Sequence, residues 1–237
     1  KKEIKDIQSL VYKKFRDETQ LFVAEGPKMV SELLELVPQN IQKVYALEEW
    51  AAQNKNLPQL EIVSEVVLQK ISSQQTPNQV LAVVQQFDWK VQNVSNSFCL
   101  YLDAIQDPGN MGTIIRIADW FGIAQIIFGK GCADLYNSKV VQSTMASIAR
   151  VPVWYDSDGV WLKEQKVPIY AATLQGKSLN EFSKVKEGIL IIGNESKGIS
   201  PELMSMATQG ITIPRRGQAE SLNAAVATGI ILSHLLN

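Results

Sequence analysis

Three polar, glycine-bearing segments in the second half of the chain hold the residues best suited to chemistry. The first is Asp107-Pro108-Gly109-Asn110-Met111-Gly112-Thr113-Ile114-Ile115-Arg116. Pro108-Gly109 turns the chain, Asn110 suits the N-cap of a helix, and Gly112 leaves room for a close approach by another chain. Arg116 falls one helical turn after Gly112 on the same face, so its guanidinium can reach back over the helix start. The second segment runs from Ile192 through Gly193, Asn194, Glu195 and Gly198 to Ser200-Pro201-Glu202, and Ser200-Pro201 reads as a cap followed by a first-turn proline. The third runs from Ile213-Pro214 to Ser221-Leu222-Asn223, where Ser221 can cap an Ala-rich final helix. Taken singly, each also reads as an ordinary connection: a strand–turn–helix with an exposed Arg, a helix-start loop, a capped C-terminal helix. Their shared place, each just after an apolar strand pattern, is where open α/β sheets bind ligands.

The rest of the composition narrows the chemistry. Among 237 residues there is one histidine, His234, and two cysteines, Cys99 and Cys132. A histidine-rich metal site and a zinc ribbon lack their ligands, so no metal is expected. A triad mechanism would depend on that one terminal histidine. Neither Gly-x-Gly-x-x-Gly nor Gly-x-x-x-x-Gly-Lys-Ser/Thr occurs, which disfavours a dinucleotide-dependent oxidoreductase and a P-loop enzyme. Lys plus Arg is 23 and Asp plus Glu is 24, a net charge of -1, so any nucleic-acid site must be a local patch. The clear basic cluster is Lys1, Lys2, Lys5, Lys13, Lys14 and Arg16 against Glu3 and Asp6. It is either a solvated helix face or a phosphate-contacting edge. No apolar run approaches the roughly 18 residues of a membrane span, and two cysteines fit a reducing, cytoplasmic setting. The start at Lys1-Lys2, without Met, reads either as an added scar or as a trimmed start.

Positioning these segments requires an α/β framework. The periodicity predicts two domains, 1–94 and 97–237, joined by the polar stretch Asp88–Ser97. In the first, helical spacing covers Ile4 to Val11, Pro27 to Val37 and Val66 to Ile71, and strands fall at 20–24, 44–47, 60–63 and 80–84. In the second, strands are expected at 98–105, 124–128, 169–172, 189–192 and 210–213, with helices at 112–121, 138–149 and 222–236. Continuous apolar strands alternating with helices imply a mostly parallel sheet covered on both faces.

In order and spacing, the three segments resemble the SpoU (TrmH-type) RNA 2′-O-methyltransferases of the SPOUT superfamily. Asn110, Gly112 and Arg116 meet that family's Asn-x-Gly-x-x-x-Arg pattern. Gly193, Glu195 and Gly198 meet its Gly-x-Glu-x-x-Gly loop, and Ile211, Ile213, Pro214, Ser221, Leu222 and Asn223 meet its third motif. Lys13-Lys14-Phe15-Arg16 followed by Phe22-Val23-Ala24-Glu25-Gly26 is similar to the ribosomal-protein-like substrate-binding domain that precedes many such catalytic domains.

The resemblance implies a small α/β RNA-binding domain followed by a trefoil-knotted α/β methyltransferase domain that forms a homodimer. It implies S-adenosylmethionine as cofactor, held by Thr173, Leu174, Gly176, Gly193, Asn194, Ile211, Ile213, Pro214, Ser221 and Leu222. Arg116 would be the catalytic side chain, with Asn110, Glu195, Ser221 and Asn223 positioning it and the ribose. Because a guanidinium keeps its proton, Arg116 is expected to stabilise a developing alkoxide and clamp phosphate rather than act as base. A ribose 2′-hydroxyl as acceptor means RNA, with ribosomal RNA expected and transfer RNA the alternative. Lys13, Lys14 and Arg16 are expected to grip its phosphates. An RNA-binding or ribosome-assembly factor with a decayed catalytic half is a further reading, and an unrelated nucleotide-binding α/β enzyme a third. Ala146 stands where related chains often carry Gly, within the helix expected at 138–149.

Overall fold

A computed structural model describes residues 2–236. Lys1 of the basic cluster and the last residue of the expected second domain lie outside them. In chain order the elements are α1 (Lys2–Ser9), α2 (Lys13–Thr19), β1 (Leu21–Glu25), α3 (Pro27–Leu36), β2 (Ile41–Ala46), α4 (Glu48–Ala52), β3 (Leu60–Ile62), α5 (Glu65–Ile71) and β4 (Val80–Gln85). Then come β5 (Phe98–Asp103), α6 (Pro108–Trp120), β6 (Ile126–Phe128), α7 (Ser138–Thr144), β7 (Val153–Tyr155), α8 (Val160–Lys163) and β8 (Ile169–Ser178). The chain ends with β9 (Gly188–Gly193), α9 (Pro201–Met206), β10 (Gln209–Thr212) and α10 (Ala224–Leu236).

The first compact unit comprises residues 2–88 and the segment Asp134–Arg150. Its four-stranded sheet has the order β1-β4-β2-β3, with β4 antiparallel to both β1 and β2 and β2 parallel to β3. Ile7, Leu10, Leu68, Ile71 and Leu81 are buried together on one side of it. The buried Glu25 carboxylate is satisfied by the hydroxyl of Ser72 and by the backbone N–H and hydroxyl of Ser73. That accounts for a charged group at the end of a core strand. The division expected at residues 94–97 assigns Asp134–Arg150 to the second half. In the structure α7 packs on β1, and the Tyr136 ring lies 4.8 Å from Phe22.

The second unit comprises Trp89–Ala133 and residues 151–236. Its six-stranded sheet has the order β10-β8-β9-β5-β6-β7, and every neighbouring pair is parallel. Central strands β5 and β9 are buried along almost their whole length, as a parallel strand covered on both faces must be. β7 was not foreseen. It is a three-residue edge strand with its last residue exposed, too short to show a period. No helix among the described residues is long and apolar enough to cross a membrane.

Two local corrections bear on the site. Helix α6 starts at Pro108 rather than Gly112, and its cap is Asp107, whose carboxylate accepts from the Asn110 N–H at 2.7 Å. The last helix is capped by Asn223, not Ser221: the Asn223 side-chain oxygen accepts from Ala225 N–H at 3.0 Å and Val226 N–H at 3.2 Å. The helix expected at 138–149 stops at Thr144, because Met145 and Ala146 turn left-handed with φ 50° and 69°.

Candidate active site

At the carboxyl ends of β8, β9 and β10 the second unit holds a cavity of about 670 Å³. Three backbone features build it. Gln209 and Gly210 of β10 pair with Tyr170 and Ala171, but Ile211 and Thr212 pair with Lys177 and Ser178. The intervening residues 172–176 are thrown out of the ladder as a loop, four of which line the cavity. Thr212 ties that loop down. Its hydroxyl accepts from Gly176 N–H at 2.5 Å and donates to the Thr173 carbonyl at 2.9 Å. A β-carbon on Gly176 would sit 2.4 Å from the Gly210 carbonyl carbon, so only glycine allows the two chains to cross there.

The second feature is the turn after β9. Asn194 and Gly198 exchange backbone hydrogen bonds of 3.1 and 2.8 Å. The Asn194 side chain accepts from the N–H groups of Ser196 and Lys197 and donates to the Ala104 carbonyl. That amide therefore lines the cavity but spends its polar atoms shaping the loop. Buried Asp103, at the end of β5, accepts from Ser200 N–H at 2.6 Å and fixes the far end of the turn. The third feature is the segment 213–222, which closes the cavity with Ile213, Pro214, Ser221 and Leu222. The floor is apolar: Ile192, Ile199, Ile211 and Ile231. Leu174 and Leu222 line it while 70% and 44% exposed.

Of the expected cofactor residues, Thr173, Leu174, Gly193, Asn194, Ile211, Ile213, Pro214, Ser221 and Leu222 line this cavity, and Gly176 lies behind the lining as the crossing point. Of the expected catalytic residues, three form one chain of hydrogen bonds. Asn223 Nδ2 donates to Asn110 Oδ1 at 2.7 Å, and Asn110 Nδ2 donates to Glu195 Oε1 at 2.5 Å. Glu195 is itself in the cavity wall. Because Asp107 caps α6, the Asn110 amide is free for this bridge between the start of α6, the start of α10 and the β9 turn. Ser221 lines the cavity without joining the chain. Arg116 is exposed on α6, makes no hydrogen bond or ion pair among the described residues, and is outside the cavity lining.

Lys197, Arg215 and Arg216 also line the cavity and take part in no ion pair among the described residues. The sequence held no signal for them, because loop charges lack a register that would place them at a common mouth. Among the described residues Arg216 makes no hydrogen bond, and Arg215 donates to the Ala219 carbonyl at 3.1 Å. Among the described residues no group of three or more His, Cys, Asp and Glu side chains could hold a metal ion.

In the first unit, the expected phosphate contacts divide. Lys13 and Lys14 are exposed, each paired one turn on with Asp17 at 2.6 Å and Glu18 at 3.9 Å. Arg16 is buried at 3% exposure. Its guanidinium donates to the carbonyls of Leu10 and Val11 and to Asp134 at 2.7 Å. A phosphate cannot reach it, so Arg16 is removed from the RNA-binding set. Its partner is 118 residues away in sequence, which is why the burial was invisible.

Residues 97–233 match the SpoU rRNA Methylase family, and residues 1–82 match the MRM3-like substrate binding domain. The chain is 33% identical over 238 residues to the 23S rRNA (guanosine(2553)-2′-O)-methyltransferase RlmP of Bacillus subtilis, covering 98% of this chain and 95% of RlmP. A TrmH-family structure from Porphyromonas gingivalis superposes with a TM-score of 0.87 at 35% identity, covering 99% of this chain and 97% of the other. The AdoMet-bound rRNA methyltransferase from Sinorhizobium meliloti superposes with a TM-score of 0.83 at 32% identity, covering 98% and 93%. The parallel sheet, the looped-out cavity wall and these matches over both halves lead to one conclusion: this chain belongs to the SpoU rRNA methylase family.

Proposed function

We propose that this chain transfers a methyl group from S-adenosylmethionine to a ribose 2′-hydroxyl of ribosomal RNA in the cytoplasm. The observation that carries the reading is the cavity wall: a looped-out strand segment and a glycine turn enclose an apolar floor, with the Asn223–Asn110–Glu195 chain ending in that wall. These residues fit the cofactor. The Ile192, Ile199, Ile211 and Ile231 floor suits an adenine ring, and the exposed Leu174 and Leu222 are apolar surface that a ligand would cover. Thr173, Leu174, Gly193, Ile211, Ile213, Pro214, Ser221 and Leu222 would hold it, with Gly176 and Asn194 keeping the walls in shape. When bound, S-adenosylmethionine supplies a methyl carbon made electrophilic by its sulfonium.

The chain's own task is to hold the acceptor hydroxyl in line and stabilise the charge that develops on it. Arg116, whose guanidinium keeps its proton and has no hydrogen bond or ion pair among the described residues, is assigned that stabilising role and a phosphate contact. Glu195, oriented by Asn110 and Asn223, positions the ribose and the guanidinium. Lys197, Arg215 and Arg216, in no ion pair among the described residues, supply cations to the flanking phosphates; Lys13 and Lys14 would meet phosphates on the first unit by itself. A homodimer and a trefoil knot belong to the same reading. α6 packs on α10, yet Trp120, Val226 and Ile230 of these helices stay 85%, 51% and 39% exposed, an apolar face that a second copy would cover. The close crossing of Gly176 over Gly210 supports a threaded chain.

The test is transfer of labelled methyl from S-adenosylmethionine to ribosomal RNA by the purified protein. Arg116→Ala is expected to bind cofactor and RNA yet lose turnover by about 100-fold or more. Near-wild-type turnover would remove Arg116 from its role, and label entering transfer RNA alone would change the substrate.

A further inference from the structure

Beside the lysines of α2 lies a surface that the cavity does not use. Tyr12, just before the helix, is 65% exposed, and Phe15 is 39% exposed one turn on. Their rings meet edge to face with centroids 6.5 Å apart. Val11 beside them is 55% exposed, and the Lys14 ammonium stands 5.9 Å from the Phe15 ring centre. Aromatic side chains of this size are rarely left in solvent as neighbours without a use.

The backbone beneath them is held firmly. The Arg16 guanidinium donates to the carbonyls of Leu10 and Val11, at 2.8 and 2.7 Å, and anchors on Asp134. It thereby fixes the turn that presents Tyr12 and the helix face that presents Phe15. A buried ion pair is a costly way to stabilise a fold, but it does set one geometry for the residues around it.

We propose that Tyr12 and Phe15 form a stacking platform for an unpaired nucleobase of the RNA substrate, with Arg16 as its positioning residue and Lys13 and Lys14 meeting the adjoining phosphates. Single-stranded RNA combines flat apolar faces with a negative charge at every nucleotide, which is the complement of two exposed rings flanked by two ammonium groups. The lysines' pairs with Asp17 and Glu18 are solvent-exposed, and the further approach of Lys13 to the less exposed Asp134 is long at 3.9 Å, so exchanging them for phosphate costs little. The platform lies within the stretch that matches a substrate binding domain. The proposal rests on the methyltransferase reading above and extends it to how the RNA is held.

The test replaces both rings with leucine, Tyr12→Leu and Phe15→Leu together, keeping apolar bulk and removing the π faces. Binding is measured with a short single-stranded oligoadenylate and with an RNA duplex over a salt series, and KM is measured with ribosomal RNA stripped of protein. The double variant is expected to bind oligoadenylate about 5-fold or more weaker, with an unchanged salt slope and unchanged duplex affinity, and with a raised KM for ribosomal RNA. Lys13→Ala with Lys14→Ala is expected to do the reverse to the slope, reducing it by about 0.7 per lysine. Oligoadenylate affinity within about twofold of wild type overturns the platform. So does a loss of self-association in the variant by sedimentation, which would assign the face to a second copy. If the wild-type protein methylates no RNA, the methyltransferase reading fails; if it does and the leucine variant keeps its KM, only the platform falls.

Discussion

Asn110→Asp exchanges one atom of a side chain and reverses what it offers Glu195. The amide donates to the Glu195 carboxylate at 2.5 Å and accepts from Asn223 at 2.7 Å. Aspartate can still accept from Asn223 but has no N–H for Glu195, so two carboxylates face each other. A hydrogen bond to a charged group contributes about 1.5–3 kcal/mol. If that energy holds Glu195 in its working position, kcat/KM falls about 10- to 150-fold. Folding is expected to be spared, because an acidic side chain in the first turn of α6 suits the helix N-terminus. The melting temperature therefore separates a site effect from a folding effect. The assay is initial-rate methyl transfer to ribosomal RNA by wild type and variant. A variant retaining more than about a third of wild-type kcat/KM would refute the role given to this bridge.

Three other substitutions and reactions probe separate parts of the structure. In Gly193→Ala the new methyl meets the Gly198 carbonyl carbon at 2.4 Å and its oxygen at 2.5 Å; the turn must open, and calorimetry is expected to show S-adenosylmethionine affinity down about tenfold or more as two backbone bonds of about 1 kcal/mol each are lost. In Ala146→Gly the left-handed φ of 69° is relieved by about 1 kcal/mol while the unfolded chain gains comparable freedom, so denaturant unfolding should show a near-neutral change where the same swap inside a helix would cost about 1 kcal/mol. Burial pushes the Cys132 thiol up to about 11, so the folded protein should resist iodoacetamide at about pH 8, where a free thiol near 8.5 reacts readily. Because the folded state disfavours the thiolate, the contribution is intact below the unfolded value and is lost as pH rises toward the folded one; rapid stoichiometric labelling at about pH 8 would contradict it.

The elements of the parallel sheet were legible because strands buried on both faces read as unbroken apolar runs, as Ile189–Ile192 and Phe98–Leu102 do. The candidate site was legible in residue type, since short-range spacing sets which polar groups follow each strand. Its connections were less so. A slip of two or three residues in assigning caps gave Asn110 and Ser221 the work of Asp107 and Asn223, and so concealed that the Asn110 amide is free to join Glu195. Thr212, which ties down the looped-out segment, has no local signature, because its partners Thr173 and Gly176 are brought to it by the sheet. Short elements such as α4 and β7 fall below the length at which a period can be seen. The end of α7 is set by two left-handed residues that carry no glycine to announce them.

The most direct test of the central claim is a map of 2′-O-methyl riboses in total RNA from cells with and without the gene. A ribosomal RNA ribose is expected to lose its methyl when the gene is removed and to regain it when the purified protein and S-adenosylmethionine are added to that RNA. An unchanged ribosomal RNA map, or a change confined to transfer RNA, would contradict it.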